Sequence, residues 1–417
     1  MSAVEPRRVA DHGINPEDLE ANALKVVDAL LEEGYEAYLV GGCVRDLLCG
    51  MTPKDFDVAT NATPEEARGL FRRSRQVGRR FPIVHVRFGR ELIEVSTFRQ
   101  GLLDHVETND QGLILKDRAF GTMAEDAFRR DFTINALYYD ISRNEVIDFV
   151  GGYADLSERR LRFIGEPEER LAEDPVRILR ALRFAAKLDF RLSPEIEACM
   201  QETADRLEDI PSARLFDEFM KMFLTGYGSA TWTLLKETPM ARSLFPTCDP
   251  QSELVADAMR NTDERIHNDQ PVTPGFLVAV ILWEDFQARN GLDNPDNKTD
   301  LAYDIAMDTI AVQQQHIAIP RRFTGFAREV WQLQDRLVER HPRNIRRLLS
   351  HKRFRAAFDF LCLRGEYDKT LQQRGEWWHN LQFADKEQQD KMIDELPRVN
   401  RPRRRRRGGR AGRSMPG

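Results

Sequence analysis

The chain of 417 residues carries 31% charged residues and a formal net charge of −6, and it is too long for one ordinary hydrophobic core, so we expect two or three domains. Its longest apolar run, 276–283, is far shorter than the roughly 18 residues of a membrane span, and the N-terminus lacks the apolar stretch of a secretory signal, which argues against a membrane protein and favours the cytoplasm. The five cysteines form no CxxC pair, which argues against a disulfide framework and a structural zinc site.

The first part of the chain mixes helical and strand-like patterns, which is typical of an α+β or α/β head. In chain order the predicted elements are a helix at 24–31, a strand at 35–39 followed by the Gly41-Gly42 turn and a helix, and a strand at 55–59. After these come a helix from 64 to about 73, a hairpin of strands 83–88 and 92–97, a polar loop at 101–117, and strands at 133–139 and 146–149. The helix from 64 has a clear start, because Thr63 is a good N-cap, Pro64 suits the first helical position and Glu66 the third.

From Asp174 onward the pattern becomes helical, and we find no repeat of fixed period. Leu179, Leu182 and Ala186 share one helix face, and later apolar stretches lack strand alternation. The sequence therefore predicts an α+β fold. Its expected parts are a flexible N-terminus at 1–20, a head with a small mixed sheet at 21–155, a helical neck at 156–240, a helical body at 241–395 and a disordered basic tail at 396–417.

The basic tail contrasts sharply in charge with the rest of the chain. Residues 398–417 hold nine arginines and no acidic residue, whereas the remainder has 53 basic and 68 acidic residues and a net charge of −15. Such a segment is typical of a protein with a polyanionic partner. The arginines that we expect to contact phosphates there are Arg403, Arg404, Arg405, Arg406 and Arg407.

The triplet Asp55-Phe56-Asp57 is the first pattern that indicates chemistry. On a strand, a period of two places both carboxylates on one face and turns Phe56 into the core. Mg²⁺ prefers oxygen ligands and retains waters, so two or three carboxylates together with triphosphate oxygens would complete its coordination. Two solvated acids at a strand end would give the same triplet, so the motif alone has modest specificity.

The segment GGCVRD at residues 41–46 lies about ten residues upstream of this triplet. A glycine pair after a strand lets backbone N–H groups approach a phosphate, and Arg45 is placed to bind it. The chain contains neither GxxxxGK[ST] nor a kinase-like HRD and DFG pair, so the common phosphate-binding classes fit poorly. An ordinary strand-to-helix turn remains the alternative.

Two further segments combine arginines with an acid. RRDFTINAL at 129–137 brings two arginines and Asp131 to the start of a predicted strand, where a structural salt bridge is an equal alternative. EDPVRILR at 173–180 places Arg177 and Arg180 three residues apart on one helix face, with Asp174 as N-cap. Asp174 and such an arginine can hydrogen-bond a base edge, although a capped helix with a solvated basic stripe explains the spacing equally well.

These four segments, in this order, resemble the class II nucleotidyltransferases, which comprise bacterial poly(A) polymerases and tRNA CCA-adding enzymes. The resemblance covers about 20–385. It implies that Asp55 and Asp57 hold two Mg²⁺ ions, with Mn²⁺ as a substitute, and that Asp131 is a third catalytic acid. The nucleotide-binding residues that it implies are Gly41, Gly42, Arg45, Asp46, Arg130, Asp174, Arg177 and Arg180. Cys43 stands where the family usually has Gly or Ala, which is a small and tolerable change.

The branch within this family depends on a shorter signal. VGRRFPIVHV at 77–86 and DERIHND at 263–269 are similar to poly(A) polymerase segments, and an arginine-rich C-terminal extension agrees with that branch. Arg79 and Arg80 are placed to bind RNA or triphosphate phosphates, with a solvated pair as the alternative. His85 receives no role, because Mg²⁺ prefers oxygen ligands.

The resemblance thus implies a monomeric poly(A) polymerase that transfers AMP from ATP to RNA 3′ ends without a template and releases pyrophosphate. Its other partner would be the RNA-degradation machinery. Three alternatives stay open: CCA addition to tRNA, a non-catalytic RNA-binding protein, and a metal-dependent phosphohydrolase. The last is disfavoured because the chain has no HD dipeptide.

Overall fold

The computed structural model describes residues 5–78, 82–100, 106–108, 114–117, 120–292 and 300–397. The chain forms two compact units. The first comprises Met1–Pro246, Thr262–His267 and Gln315–Ala318, and the second comprises Thr247–Asn261, Asn268–Gln314 and Ile319–Gly417. Within the described ranges, no helix has both the length and the apolar character that a membrane span requires.

An eight-stranded sheet organises the head, in the order β1-β10-β9-β2-β3-β6-β5-β4. Neighbouring strands run antiparallel, except that β3 and β6 are parallel. The strands of the chain are β1 (Arg7–Val9), β2 (Ala37–Val40), β3 (Asp57–Thr60), β4 (Ser74–Val77), β5 (Ile83–Phe88), β6 (Glu91–Thr97), β7 (Val106–Thr108), β8 (Ile114–Asp117), β9 (Leu137–Asp140), β10 (Glu145–Asp148), β11 (Arg160–Leu161) and β12 (Arg191–Leu192). Strands β7 and β8 form a separate hairpin, and β11 and β12 form a short parallel pair.

Helices pack against the sheet and make up most of the chain after it. The first twelve are α1 (Ala21–Glu32), α2 (Gly42–Leu48), α3 (Pro64–Leu70), α4 (Met123–Arg129), α5 (Gly152–Ser157), α6 (Pro167–Glu173), α7 (Val176–Leu188), α8 (Pro194–Ala198), α9 (Met200–Asp205), α10 (Ser212–Phe223), α11 (Gly228–Lys236) and α12 (Met240–Leu244). The others are α13 (Glu253–His267), α14 (Pro274–Ile281), α15 (Trp283–Leu292), α16 (Asp300–His316), α17 (Arg321–Glu339), α18 (Ile345–Leu349), α19 (Phe354–Gly365), α20 (Lys369–Phe383) and α21 (Lys386–Asp394). Short 3-10 turns lie at Pro16–Asp18, Thr133–Asn135, Arg206–Asp209 and Pro342–Asn344.

Strand alternation divides the head core between the two sheet faces. Phe56 and Val58 belong to the cluster formed with α1 and α3, whereas Ala59 packs with Tyr138 and Phe98 on the other face. An Asp57 side chain that alternates with these neighbours therefore points to the same face as Ala59. The capping box of α3, in which Thr63 and Glu66 bond each other's backbone N–H groups, confirms the predicted helix start.

The structure confirms the α+β class and most predicted elements, and it corrects four points. Residues 106–108 and 114–117 form strands within the predicted polar loop, and Arg7–Val9 pairs with β10 inside the segment predicted to be flexible. Residues 133–135 form a 3-10 turn instead of a strand, and β11 and β12 interrupt the helical neck. These strands have only two to four residues, too few to show a period. The five-part division stays a prediction, and the tail at 398–417 lies outside the described residues.

Candidate active site

A cavity of about 280 Å³ opens where β3 and β6 run side by side. The parallel register sets Asp57 of β3 opposite Glu94 of β6. Asp55 precedes the strand and is exposed, Phe56 is buried, and Asp57 is half-buried, as the predicted alternation requires. The cavity is lined by Val40, Asp57, Ile83, Glu94, Ser96, Arg99, Asp126, Arg129 and Arg130. Acidic and basic side chains thus share one small space.

The carboxylates in this space repel one another. Burial, the charge of Glu94 and that of Asp55 raise the pKa of Asp57 to about 6, although Arg130 acts in the opposite direction. A divalent cation would relieve this repulsion, and the oxygen donors suit Mg²⁺. Among the residues that the structure describes, no three His, Cys, Asp or Glu side chains converge tightly enough to hold a metal ion. Water and triphosphate oxygens would therefore have to supply the remaining ligands.

Arg130 is held rigidly at the wall of the cavity. Its Nε and Nη2 donate to Oδ2 of Asp126 at 3.2 and 3.0 Å, and the Tyr138 hydroxyl donates to the same oxygen at 2.7 Å. Burial lowers the pKa of Arg130, but Tyr138 and Asp126 outweigh it and keep the pKa above its ordinary value. This arginine is therefore a fixed positive charge facing the carboxylates.

Gly41 allows the GGCVRD turn to pass close to Arg130. Its φ of +77° lies in the left-handed region, and a Cβ there would lie 3.3 Å from Nη1 of Arg130. Gly42 begins α2, and a Cβ on it would meet only Arg45 Nη2, at 3.7 Å. The turn therefore needs glycine most at position 41, because of both its backbone conformation and the nearby guanidinium.

Arg45 is buried and points into the protein. Its Nε and Nη2 donate to Oδ1 of Asp46 at 2.8 and 2.5 Å, and its Nη1 donates to Oδ1 of Asn135 at 2.6 Å. These bonds link the GGCVRD turn to the 3-10 turn at Thr133–Asn135. These contacts make Arg45 an internal anchor of the turn and do not test whether it binds a phosphate. The phosphate contact of Arg45 therefore stays a prediction.

Helix α7 of the neck contacts both motif segments through one face. Arg180 Nε and Nη2 donate to Oδ2 of Asp131 at 2.9 and 2.5 Å, and Lys187 Nζ donates to Oδ2 of Asp46 at 2.8 Å. Between them Phe184 packs edge-on against Phe132. Positions 180, 184 and 187 share a helix face, so this face holds the neck against the head.

Asp131 is part of that attachment. Burial opposes its ionisation, but Arg180 and the Asn135 amide outweigh burial and lower the pKa of Asp131. Asp131 does not line the cavity with Asp57, whereas Glu94 does. Its role as third catalytic acid stays a prediction, and the structure brings Glu94 to the place beside Asp57.

Asp174 and Arg177, which are predicted to hydrogen-bond the base of the nucleotide, lie at the junction of α6 and α7. Asp174 Oδ2 accepts from Arg214 at 2.5 Å and its Oδ1 accepts from the backbone N of Val176 at 3.3 Å. Arg177 Nη1 donates to the Arg170 carbonyl at 2.5 Å and to Oε2 of Glu173 at 2.7 Å. Arg177 and Arg180 therefore serve different partners, and base reading stays a prediction.

Sequence reasoning missed Glu94, Asp126 and Arg99. Glu94 stands between buried Ile93 and Val95, and this alternation was the available signal, but the pairing of β6 with β3 cannot be read from spacing. The predicted RNA contacts at Arg79, Arg80 and 403–407 lie outside the described residues.

Comparisons with known proteins agree along nearly the whole chain. Residues 37–162 match the poly A polymerase head domain, 189–251 the "Probable RNA and SrmB- binding site of polymerase A", and 296–411 the polymerase A arginine-rich C-terminus. The chain is 45% identical to poly(A) polymerase I of Escherichia coli O157:H7, over 94% of this chain and 89% of that protein. A CCA-adding enzyme of Lactococcus lactis subsp. lactis (strain IL1403) is 40% identical but over only 50% of this chain and 52% of its own length.

Among solved structures, a CCA-adding enzyme in its apo form II has a TM-score of 0.66 and 20% identity. The match covers 95% of this chain and 97% of that one, and at this identity it shows a shared fold. The longer and stronger sequence matches therefore lie with the poly(A) branch, and the fold is common to both branches.

Proposed function

The chain belongs to the bacterial poly(A) polymerase family of template-independent RNA nucleotidyltransferases, and from this premise we propose that the cavity between β3 and β6 is its catalytic centre. The observation that carries the proposal is the register of the two strands. It sets Asp57 against Glu94, with Asp55 nearby and Arg130 in the lining of the same cavity. Acids together with one arginine fixed by hydrogen bonds form the electrostatic pattern that a metal-bound triphosphate requires.

Each group has a task in this proposal. Asp57 and Glu94, with Asp55 nearby, would contribute carboxylate oxygens to two Mg²⁺ ions, and water and triphosphate oxygens would complete the coordination. The bound ions would supply positive charge to the attacking 3′-oxygen and the departing pyrophosphate. Arg130, fixed by Asp126 and Tyr138, orients the triphosphate of ATP. The arginines Arg99 and Arg129 line the same cavity and extend this positive wall.

Adenine selection is assigned to the neck in this proposal. Asp174 and Arg177 offer an acceptor and donors at the start of α7, and Arg180 ties that helix to Asp131. Arg177→Ala should therefore reduce the preference for ATP over CTP. Measured with each nucleotide alone, an unchanged preference would remove Arg177 from this role.

The test of the activity incubates the purified protein with Mg²⁺, one nucleotide at a time, and either a generic RNA oligomer or a tRNA that lacks its CCA end. We expect ATP alone to give a long ladder on generic RNA. Addition that stops after CCA on tRNA and needs both CTP and ATP would instead identify a CCA-adding enzyme. Failure to extend any RNA would favour a non-catalytic RNA-binding protein.

The metal identity and number, a contact with the RNA-degradation machinery, a cytoplasmic location and a monomeric state all stay predictions. Metal specificity can be tested in the same assay, because replacing Mg²⁺ by Ca²⁺ keeps oxygen ligation but relaxes its geometry. We expect Mn²⁺ to support extension and Ca²⁺ to lower it strongly.

A further inference from the structure

A second concentration of positive charge lies in the second unit. Residues 340–355 contain six arginines, one lysine and no acidic residue. Several of these cations have partners: Arg353 bonds Glu329, and Arg355 bonds Asp359. The arginines of this segment that remain available to an external anion are centred on α18.

Helix α18 and the turn before it present arginines to solvent. Ile345 and Leu348 are buried and anchor the helix, whereas Arg343, Arg346 and Arg347 are exposed. Arg346 forms an ion pair with Asp390 of α21. Over the described part of the chain, neither Arg343 nor Arg347 has an ion-pair partner. Two guanidinium groups are thus free to bind an external anion.

An exposed aromatic ring lies at the end of α20, and α21 links that end to the arginine segment through Arg346 and Asp390. Gln389, the neighbour of Asp390, donates its Nε2 to the Leu381 carbonyl at 3.0 Å and to the Ala384 carbonyl at 3.1 Å. These bonds join α21 to the end of α20, where the Phe383 side chain is 76% exposed. A phenylalanine so exposed contributes little to the core and offers a stacking face. We call Arg343, Arg346, Arg347 and Phe383 the α18 surface.

We propose that the α18 surface is a binding site for single-stranded RNA, with the arginines on its phosphates and Phe383 stacked on one base. Unpaired cations together with an exposed ring are the combination by which proteins bind single strands without reading sequence. The absence of acids from 340–355 leaves no side chain in that segment to repel a phosphate. The inference rests on the proposed function, because it takes RNA as the substrate and adds a contact outside the catalytic head.

The test measures the affinity of the full chain for a 5′-fluorescein 20-nucleotide oligo(A) across a salt series. Arg343→Gln with Arg347→Gln should weaken binding about tenfold and reduce the slope of log K against log salt by about 1.4, since each lost phosphate contact on a single strand contributes about 0.7. Phe383→Ala should weaken binding about fivefold with an unchanged slope, because stacking releases no counterions.

The matched control is Arg321→Gln with Arg322→Gln. These two arginines are also exposed, and they begin α17. Arg340, the first residue of the basic segment 340–355, follows the other end of that helix, about 28 Å away. The control removes the same charge, and we expect it to change affinity less than twofold. Equal losses in the control and the α18 double variant would overturn the proposal, because they would show a diffuse effect of net charge.

Wild-type affinity and slope in the α18 double variant would also overturn it. Far-UV circular dichroism verifies that each variant is folded, and RNA extension with ATP at saturating RNA is measured on the same samples. If wild-type protein binds oligo(A) through this surface but extends no RNA, the proposed function fails and the surface stands. If it extends RNA and the variants bind as wild type does, only the surface fails.

Discussion

The catalytic cavity and the α18 surface both collect charge, but by opposite means. In the cavity Asp57 is half-buried and Arg130 is fixed by Asp126 and Tyr138, so each charge depends on its neighbours. On the α18 surface Arg343 and Arg347 are exposed and without ion-pair partners within the described residues. Buried charges fix atoms for chemistry, whereas exposed ones attract a polymer whose position need not be exact. Variants in the first region should change rates, and variants in the second should change salt dependence.

The largest effect is expected from a variant in the catalytic cavity. Asp57→Asn keeps the shape of the side chain but removes the charge that would bind the metal ions. We expect the rate of RNA extension with ATP to fall about a thousandfold, which equals about 4 kcal/mol of transition-state stabilisation. Single-turnover extension at saturating ATP measures it. A rate within tenfold of wild type would contradict the assignment.

The next effect concerns the attachment of the neck to the head. Arg180→Ala leaves the carboxylate of Asp131 without its ion-pair partner, and we expect a loss of about 2 kcal/mol in the free energy of unfolding. The control is Arg355→Ala, which breaks an exposed pair with Asp359 and should cost about 0.5 kcal/mol or less. A double-mutant cycle with Asp131→Asn should give a coupling of about 1 kcal/mol, and additive losses would show that the pair does not act as a unit.

The repulsion at Asp57 should appear in the pH dependence of stability without metal. Its pKa is about 6 in the folded protein and near 4 in an unfolded chain, so the folded state binds this proton more tightly. The stabilisation of the folded state by this tighter proton binding is full below about pH 4 and is lost as the pH rises through 6. Asp57→Asn should therefore raise the free energy of unfolding by about 1 to 2 kcal/mol at pH 7.5, and by much less at pH 4.5. Urea unfolding in EDTA measures the difference, and equal effects at both pH values would count against it.

The smallest effect is expected from removing the basic tail, a second group of arginines expected to bind RNA. Deleting 398–417 removes nine arginines, and we expect weaker RNA binding with a shallower salt slope. The extension rate at saturating RNA should stay within about twofold of wild type, because the tail has no role in the chemistry proposed here. An unchanged salt slope would show that the tail does not bind the RNA backbone.

The sequence predicted what depends on local pattern. The Asp55-Phe56-Asp57 alternation, the Gly41 turn and the Thr63 capping box all follow from the rotamer and backbone rules of a few adjacent residues, and the structure contains each of them. The α+β class and the poly(A) branch were confirmed for a similar reason, because they depend on several such segments in a fixed order.

What could not be predicted depends on long-range pairing. Glu94 reaches Asp57 only because β6 runs parallel to β3, and no spacing in the chain states which strands are neighbours. In the same way Arg45 and Arg180 look like free phosphate or base ligands in sequence. The fold gives them Asp46, Asn135 and Asp131 as internal partners.

Glu94 therefore provides the most direct measurement of the central claim. Single-turnover extension of RNA by ATP should fall about a thousandfold in Glu94→Gln, with the thermal midpoint unchanged or raised. The matched control is Glu91→Gln, an exposed acid on the same strand that bonds Asn22, and it should extend RNA at the wild-type rate. If Glu94→Gln extends RNA as fast as Glu91→Gln, the cavity between β3 and β6 is not the catalytic centre as described.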